Sequence, residues 1–400
     1  MNNTKIYYGW YVTIACAVAA LCLGGIVWTF GVFFKPLENE FGWSRTLISS
    51  GYTAFLLGHA ISILVAGRLV DKYSPRPILF VSAVTGGLSV ALASLIHSVN
   101  ELRFFLFLAG MGTGANWSVP AAVVQRWFYG RRHAGVALSI MVTGLGVGAL
   151  VFAPLINYLI LSYGWRTSYL VVGIIFFVVA SLATIFIRPS PSEKVSSVNG
   201  KKVAVEVEGW STRQAMATAA FAGIIFLFCI GDISFMLISV HLIPHALDVG
   251  ISPTLAASAL GLMGGFSIPG RLSGGFLAEK LSWERLLAYS SFGMAASIVL
   301  LIFMKTSWVL YLFVFLHGLF FGVRAPAMIG ILSSFFGMRS FGALIGITGA
   351  ITVVFGAMAP YLAGFIFDTT GSYFWAFMLL MVALVAAGVV AKAIKKPVTR

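Results

Sequence analysis

Apolar runs bounded by charges or turn residues fall near 10–34, 46–66, 78–97, 103–125, 134–161 and 168–187. A second set falls near 215–241, 254–278, 286–304, 308–333, 341–366 and 373–393. A bilayer core about 30 Å thick takes roughly 20 residues of helix per crossing, so each run predicts one crossing and the chain predicts twelve. Between the two sets lies the only long polar stretch, Arg188 to Gln214, which contains RPSPSEKVSSVNGKK. Its Ser, Pro and Lys content predicts a cytoplasmic linker between two six-helix halves, 1–187 and 215–400. Within it, a helix lying along the membrane surface is expected, especially over 203–212.

The halves resemble each other. Gly67–Lys72 reads GRLVDK after span 2, and Gly275–Lys280 reads GFLAEK after span 8. Ala153-Pro154 in span 5 recurs as Ala359-Pro360 in span 11. The basic WFYGRRHAG before span 5 has a weaker echo in FFGMRSFG before span 11. Parallel six-helix repeats predict a pseudo-two-fold axis along the membrane normal and a midplane site between the halves.

Composition agrees with an all-α membrane protein. Of 400 residues 60% are hydrophobic and only 10% charged, too few charged groups to clothe a soluble domain of that size. The abundance of Phe and Gly suits helices packed in lipid, where small residues let backbones approach. The net charge of +14 raises nucleic acid as a partner, but its distribution argues against it. With the N-terminus in the cytoplasm, 19 of the 26 Lys and Arg lie in cytoplasmic segments, five in loops on the other side, and two, Arg271 and Arg324, inside spans. That asymmetry predicts both termini in the cytoplasm. Cys16, Cys22 and Cys229 all fall in apolar spans and are expected to act as small hydrophobes, without a disulfide or metal framework. The first run is too long for a signal peptide and is expected to be span 1.

The segment Gly67 to Pro77, GRLVDKYSPRP, resembles the signature between spans 2 and 3 of the major facilitator superfamily. The resemblance implies a latch that holds the halves in one state of alternating access, with Gly67, Asp71, Lys72 and Arg76 in the first copy and Glu279 and Lys280 in the second. Tyr8-Gly9-Trp10 and the stretch Trp127 to Ala137 are similar to motifs of the monocarboxylate porters and the related bacterial oxalate:formate antiporters. Tyr8 stands where that family has an acidic residue, so the first of these motifs is partial.

Charge inside the spans carries the candidate chemistry. A charged side chain near mid-span costs at least about 2.5 kcal/mol on insertion and normally faces a polar cavity or a partner. Arg271 lies in GGFSIPGRLSGGFLAEK, and the family carries an arginine here, followed by a pattern that Gly275, Leu277 and Glu279 match. The resemblance implies that Arg271 binds the substrate carboxylate, and a guanidinium fork matches a carboxylate bidentately; an ion pair with Asp232 is the competing role. Arg324 in span 10 and Asp232 in span 7 admit three roles: a neutralising pair, a proton carrier in Asp232, or a second anion anchor in Arg324. His241, at the end of span 7, could bind substrate or relay a proton, or be an interfacial histidine. Asn116 in span 4 could donate to a carboxylate or bond another helix, and Trp28 could wall the pocket or pack elsewhere. His59 is expected to be a packing residue, and the glycine-rich run from Gly144 to Leu150 is expected to let helices cross closely.

In the animal monocarboxylate transporters a lysine sits mid-span 1 and an acid lies one turn before the span 8 arginine. Those positions hold Trp28 and Ser267 here, so that proton relay cannot be copied. No catalytic constellation, P-loop or metal motif is present in the sequence, so catalysis, ATP hydrolysis and a cofactor have no chemical basis. The expected function is transport of a small, lactate- or pyruvate-like monocarboxylate by a monomer in a bacterial-type inner membrane, coupled to protons. An oxalate/formate-type exchanger using both arginines is the alternative.

Overall fold

The computed structural model describes residues 7–43, 45–190, 196–198, 201–203 and 209–397. Its helices give twelve crossings. The first half is built from Tyr8–Val27 (span 1), Arg45–Leu69 (span 2) and Pro75–Leu92 (span 3). Span 4 is broken into Val99–Thr113 and Ala115–Phe128, and spans 5 and 6 share the continuous stretch Ala134–Phe186. The second half consists of Ala219–Asp248, Pro253–Leu277, Trp283–Ile302, Ser307–Phe336, Phe341–Thr370 and Phe374–Ala393, spans 7 to 12. Nine stretches among the described residues are by themselves long and apolar enough to cross a membrane. Ala134–Phe186 makes two crossings, and the broken span 4 and Pro253–Leu277 complete the twelve.

Local chemistry sets where the helices turn. Gly164 divides spans 5 and 6 with φ 82° and ψ 163°, a conformation that a side chain would oppose. Ser98 caps span 4 by accepting from the Glu101 N–H at 3.2 Å, and Thr218 caps span 7 by accepting from the Phe221 N–H at 3.1 Å. In the linker, Ser196–Val198 pairs with Lys201–Val203 as a short antiparallel hairpin. The surface helix expected over 203–212 is therefore not formed at Val203, which is in a strand; residues 204–208 lie outside the described residues. Helix begins only at Thr212, running to Met216, where Ser211 and Gln214 form a reciprocal capping box.

Glycine seats the spans on one another. A side chain at Gly144 or Gly148 would run into the span 1 carbonyls of Ala17 and Leu21, and one at Gly146 would meet span 8 at Ile268 and Ser267, both at 3.1 Å. Spacing of i and i+4 puts the first two glycines on one face, and Gly146 looks the other way. Span 5 therefore lies flush against span 1 on one side and against the opposite half on the other, and the three cysteines are buried and free.

Contacts between the halves gather towards the end of the bundle that carries the termini. There Gly67 of span 2 abuts Gly342 and Gly346 of span 11, and Gly275 of span 8 abuts Gly135 and Ser139 of span 5. Asp71 accepts from the Gly342 N–H at 3.0 Å, the Ala343 N–H at 2.8 Å and Arg126 Nη2 at 2.5 Å. In the second copy Glu279 Oε1 meets His133 Nδ1 at 2.9 Å, and Gln125 Nε2 donates to Ser333 Oγ at 2.6 Å. Arg76 instead donates twice within its own half, to the carbonyls of Ile187 and Ile185, both at 2.6 Å. Lys72 and Lys280 are exposed.

Candidate functional site: a cationic cavity between the halves

A cavity of about 140 Å³ lies between the two halves, with Trp28, Asp232, Arg271 and Arg324 among its walls. Spans 1, 7, 8 and 10 supply these four side chains. Arg271 is 1% exposed and Arg324 not at all, so both cations have left water, at a cost of several kcal/mol each unless partners replace it.

The partners are incomplete. Arg271 Nη1 donates to the carbonyl of Val142 in span 5, across the boundary between the halves, while its Nε has no hydrogen-bond acceptor. Its guanidinium carbon stands 5.9 Å from the centre of the Trp28 ring, within range of an attractive cation–π contact. Arg324 Nη1 donates to Ser291 Oγ of span 9 at 3.1 Å, but Nε and Nη2 lack acceptors. Gly231 makes the position of Arg324 possible: a β-carbon there would collide with Nε of that side chain. Asp232 sits beside Thr352 of span 11. It shares the cavity with both arginines, yet forms an ion pair within 4.0 Å with neither. The expected Arg324–Asp232 and Arg271–Asp232 pairs are thus not closed.

An aromatic wall faces these charges. Phe235 lies 4.4 Å from Trp28 between ring centres and stacks on Phe321 at 5.1 Å. These two phenylalanines escaped sequence reading. Phe235 follows Asp232 by three positions and Phe321 precedes Arg324 by three, so helical spacing from the charges would have found them. His59 is also part of the cavity wall, while its Nδ1 lies 3.0 Å from Thr113 Oγ1 of span 4.

Two expected pocket residues stand elsewhere. Asn116 is buried between spans 4 and 3, its Nδ2 donating to Ser82 Oγ at 2.9 Å, and it is not among the cavity walls. His241 ties span 7 to its neighbours, with Nε2 2.8 Å from the Pro360 carbonyl and Nδ1 3.1 Å from the Tyr373 hydroxyl. Ser267 is fully buried, with Oγ donating to the Gly264 carbonyl at 2.6 Å. No group of three or more metal-ligating side chains occurs among the described residues.

The family model of the Major Facilitator Superfamily matches residues 16–306. Monocarboxylate transporter 13 of Rattus norvegicus is 23% identical over 382 residues, covering 95% of this chain and 87% of that protein. Monocarboxylate transporter 2 of Homo sapiens is 26% identical over 388 residues, 90% of this chain and 79% of that protein. The uncharacterized MFS-type transporter YcxA of Bacillus subtilis (strain 168) is 26% identical over 388 residues, covering 94% and 91% of the two chains. Among solved structures, the transporter FucP in its outward conformation superposes with a TM-score of 0.72 at 16% identity, covering 97% of this chain and all of that one. A polytopic fold in two helical bundles, a cavity between them and a family match over most of the length lead to one assignment: this chain belongs to the Major Facilitator Superfamily of membrane transporters, with monocarboxylate transporters among its relatives.

Proposed function

We propose that the protein carries a small monocarboxylate, lactate- or pyruvate-like, by proton-coupled symport through alternating access. The observation that carries this is the pair of buried guanidinium groups with donors left unsatisfied at one cavity. Unpaired buried donors are costly, and an anion with two acceptor oxygens relieves that cost. A carboxylate fits that description, and the aromatic wall of Trp28, Phe235 and Phe321 suits a short apolar tail. The names of the relatives point to the same substrate class.

Charge arithmetic suggests how a proton enters. Two arginines and an ionised Asp232 sum to +1, which one carboxylate neutralises. Protonating Asp232 raises the sum to +2 and removes the one negative charge among the described cavity walls, leaving both arginines to the substrate. Arg271 would hold the carboxylate from span 8 while bonded to span 5, coupling the occupant to both halves. The latch of Gly67, Asp71 and Glu279 would close the end bearing the termini, and opening it would deliver substrate there. The charge distribution favours both termini in the cytoplasm, and a monomer in a cell inner membrane completes the proposed reading.

The same two arginines favour a second function, exchange of a dicarboxylate such as oxalate for formate, since each carboxylate would find its own guanidinium. Uptake of radiolabelled L-lactate into proteoliposomes, acid outside, separates the two. Symport predicts saturable uptake that a protonophore abolishes. It also predicts that Asp232→Asn loses gradient-driven accumulation while retaining lactate–lactate exchange. Flat lactate uptake, with preloaded formate driving oxalate in without a gradient, would replace symport by exchange.

A further inference from the structure

A second void, of about 350 Å³, opens where the first turns of span 9 meet the last turn of span 12, at the end of the bundle bearing the termini. Its walls include Ser282, Glu284, Arg285, Tyr289, Lys392 and Ile394. No ion pair within 4.0 Å joins Glu284 to Arg285 or Lys392. One carboxylate oxygen of Glu284 is buried with no hydrogen-bond partner. The Lys392 ammonium rests 5.1 Å from the centre of the Phe292 ring, which orients it without neutralising it. One anion and two cations thus surround a single space, each without an opposite charge in contact among the described residues.

The void opens onto the perimeter of the bundle. Along the same two spans Tyr289, Val299, Val382, Val385 and Val389 are exposed apolar or amphipathic surface, of the kind that meets acyl chains. Lys395 and Lys396 follow directly at the end of span 12, and basic groups at this depth attract phosphate. Tyr289 stands where an amphipathic ring belongs, at headgroup level.

We infer that this void binds the headgroup of an aminophospholipid, its phosphate held by Arg285 and Lys392 and its ammonium by Glu284. The charge pattern selects the ligand. A purely anionic headgroup would satisfy the two cations and leave the buried carboxylate facing a phosphate. A choline headgroup carries the right charges, but its ammonium has no N–H to donate to Glu284. An ethanolamine headgroup matches all three groups at once. A bound lipid would tie span 9 to span 12 at the end bearing the termini, outside the central cavity.

Native mass spectrometry of the detergent-purified protein, given equimolar dioleoyl-phosphatidylethanolamine, -phosphatidylcholine and -phosphatidylglycerol, tests this. The ethanolamine lipid is expected to be retained about fivefold over the choline lipid, the scale of one net hydrogen bond, here from the ammonium N–H to Glu284. Glu284→Gln should erase that preference, while Arg285→Gln with Lys392→Gln should weaken all three lipids together. Each variant is checked for unchanged monodispersity and melting temperature, so a failure to fold is not taken for a loss of binding. Equal retention of the three lipids, or an ethanolamine preference that survives Glu284→Gln, would overturn the inference. Tighter retention of phosphatidylglycerol than of the ethanolamine lipid by the parent protein would also overturn it. Displacement of the lipid by millimolar free glycerophosphoethanolamine would assign the same chemistry to a soluble ligand and overturn the lipid as its source.

Discussion

Arg271 and Arg324 are fully desolvated cations whose remaining donors face a cavity, and their chemistry is not interchangeable with that of lysine. Arg271→Lys should retain the charge but lose the fork and the reach to Val142. We expect lactate transport in that variant to fall at least about tenfold in kcat/KM, and Arg271→Gln to fall about a hundredfold, the scale of a lost charge-assisted pair. Gly231→Ala should drive the Arg324 guanidinium off span 7. The expected result is a KM raised about tenfold with melting temperature little changed, because the displaced atoms are the end of a flexible side chain. An unchanged KM would mean that Arg324 does not contact substrate. These charges were legible in the sequence because a charge in an apolar run is expensive and demands a reason. Phe235 and Phe321 were not, since the chain has 34 phenylalanines and composition cannot say which face a cavity. Asn116 and His241 were visible as polar residues, but their direction depends on helix rotation, and each is spent on a neighbouring helix.

At the scale of elements, the closed end rests on helix termini and short contacts. Asp71 accepts two backbone N–H groups at the start of span 11 and an arginine from span 4, a set worth about 1.5–3 kcal/mol for a charged acceptor. Asp71→Asn should shift the balance toward opening by that amount. A cysteine introduced by Ser333→Cys, buried in the same seam, should then label about tenfold faster or more from the side of the termini. Labelling at the original rate would remove Asp71 from the latch. The repeat of GRLVDK and GFLAEK made Asp71 and Glu279 legible, whereas their pairing with Arg126 and His133, which come from other spans, carries no local signal. At the opposite end, the Trp165 N–H donates to Glu40 at 2.5 Å. That bond, together with Arg166, holds the Glu40 carboxyl below its ordinary range. A carboxyl with a depressed folded-state pKa stabilises the fold above its unfolded pKa, and the contribution disappears as pH falls through the folded value. Thermal unfolding in detergent should therefore show Glu40→Gln less stable than the parent near pH 6, with the difference shrinking as the pH falls below the ordinary carboxylate range. A difference that persists in acid would mean the effect is not the carboxylate's.

For the whole molecule, twelve crossings and a site between two halves follow from the length and order of apolar runs, so the architecture was the most legible part. Less legible was how the halves divide the labour. Arg271 belongs to the second half but bonds to span 5 of the first, and Trp28 of the first packs at a tilt against Phe235 of the second, so the cavity exists only as a joint product. Packing of span 5 through Gly144 and Gly148 on one face and Gly146 on the other sets that span against span 1 and span 8 at once. On the proposed reading, a site assembled this way would bind an anion by closing two bundles around it. Isothermal titration of the purified protein with L-lactate, set against its neutral amide lactamide and repeated in Arg271→Gln, tests this most directly. The account predicts saturable binding of lactate, none of lactamide at the same concentration, and loss of lactate binding in the variant. Lactamide binding as tightly as lactate, or lactate affinity unchanged in Arg271→Gln, would contradict it.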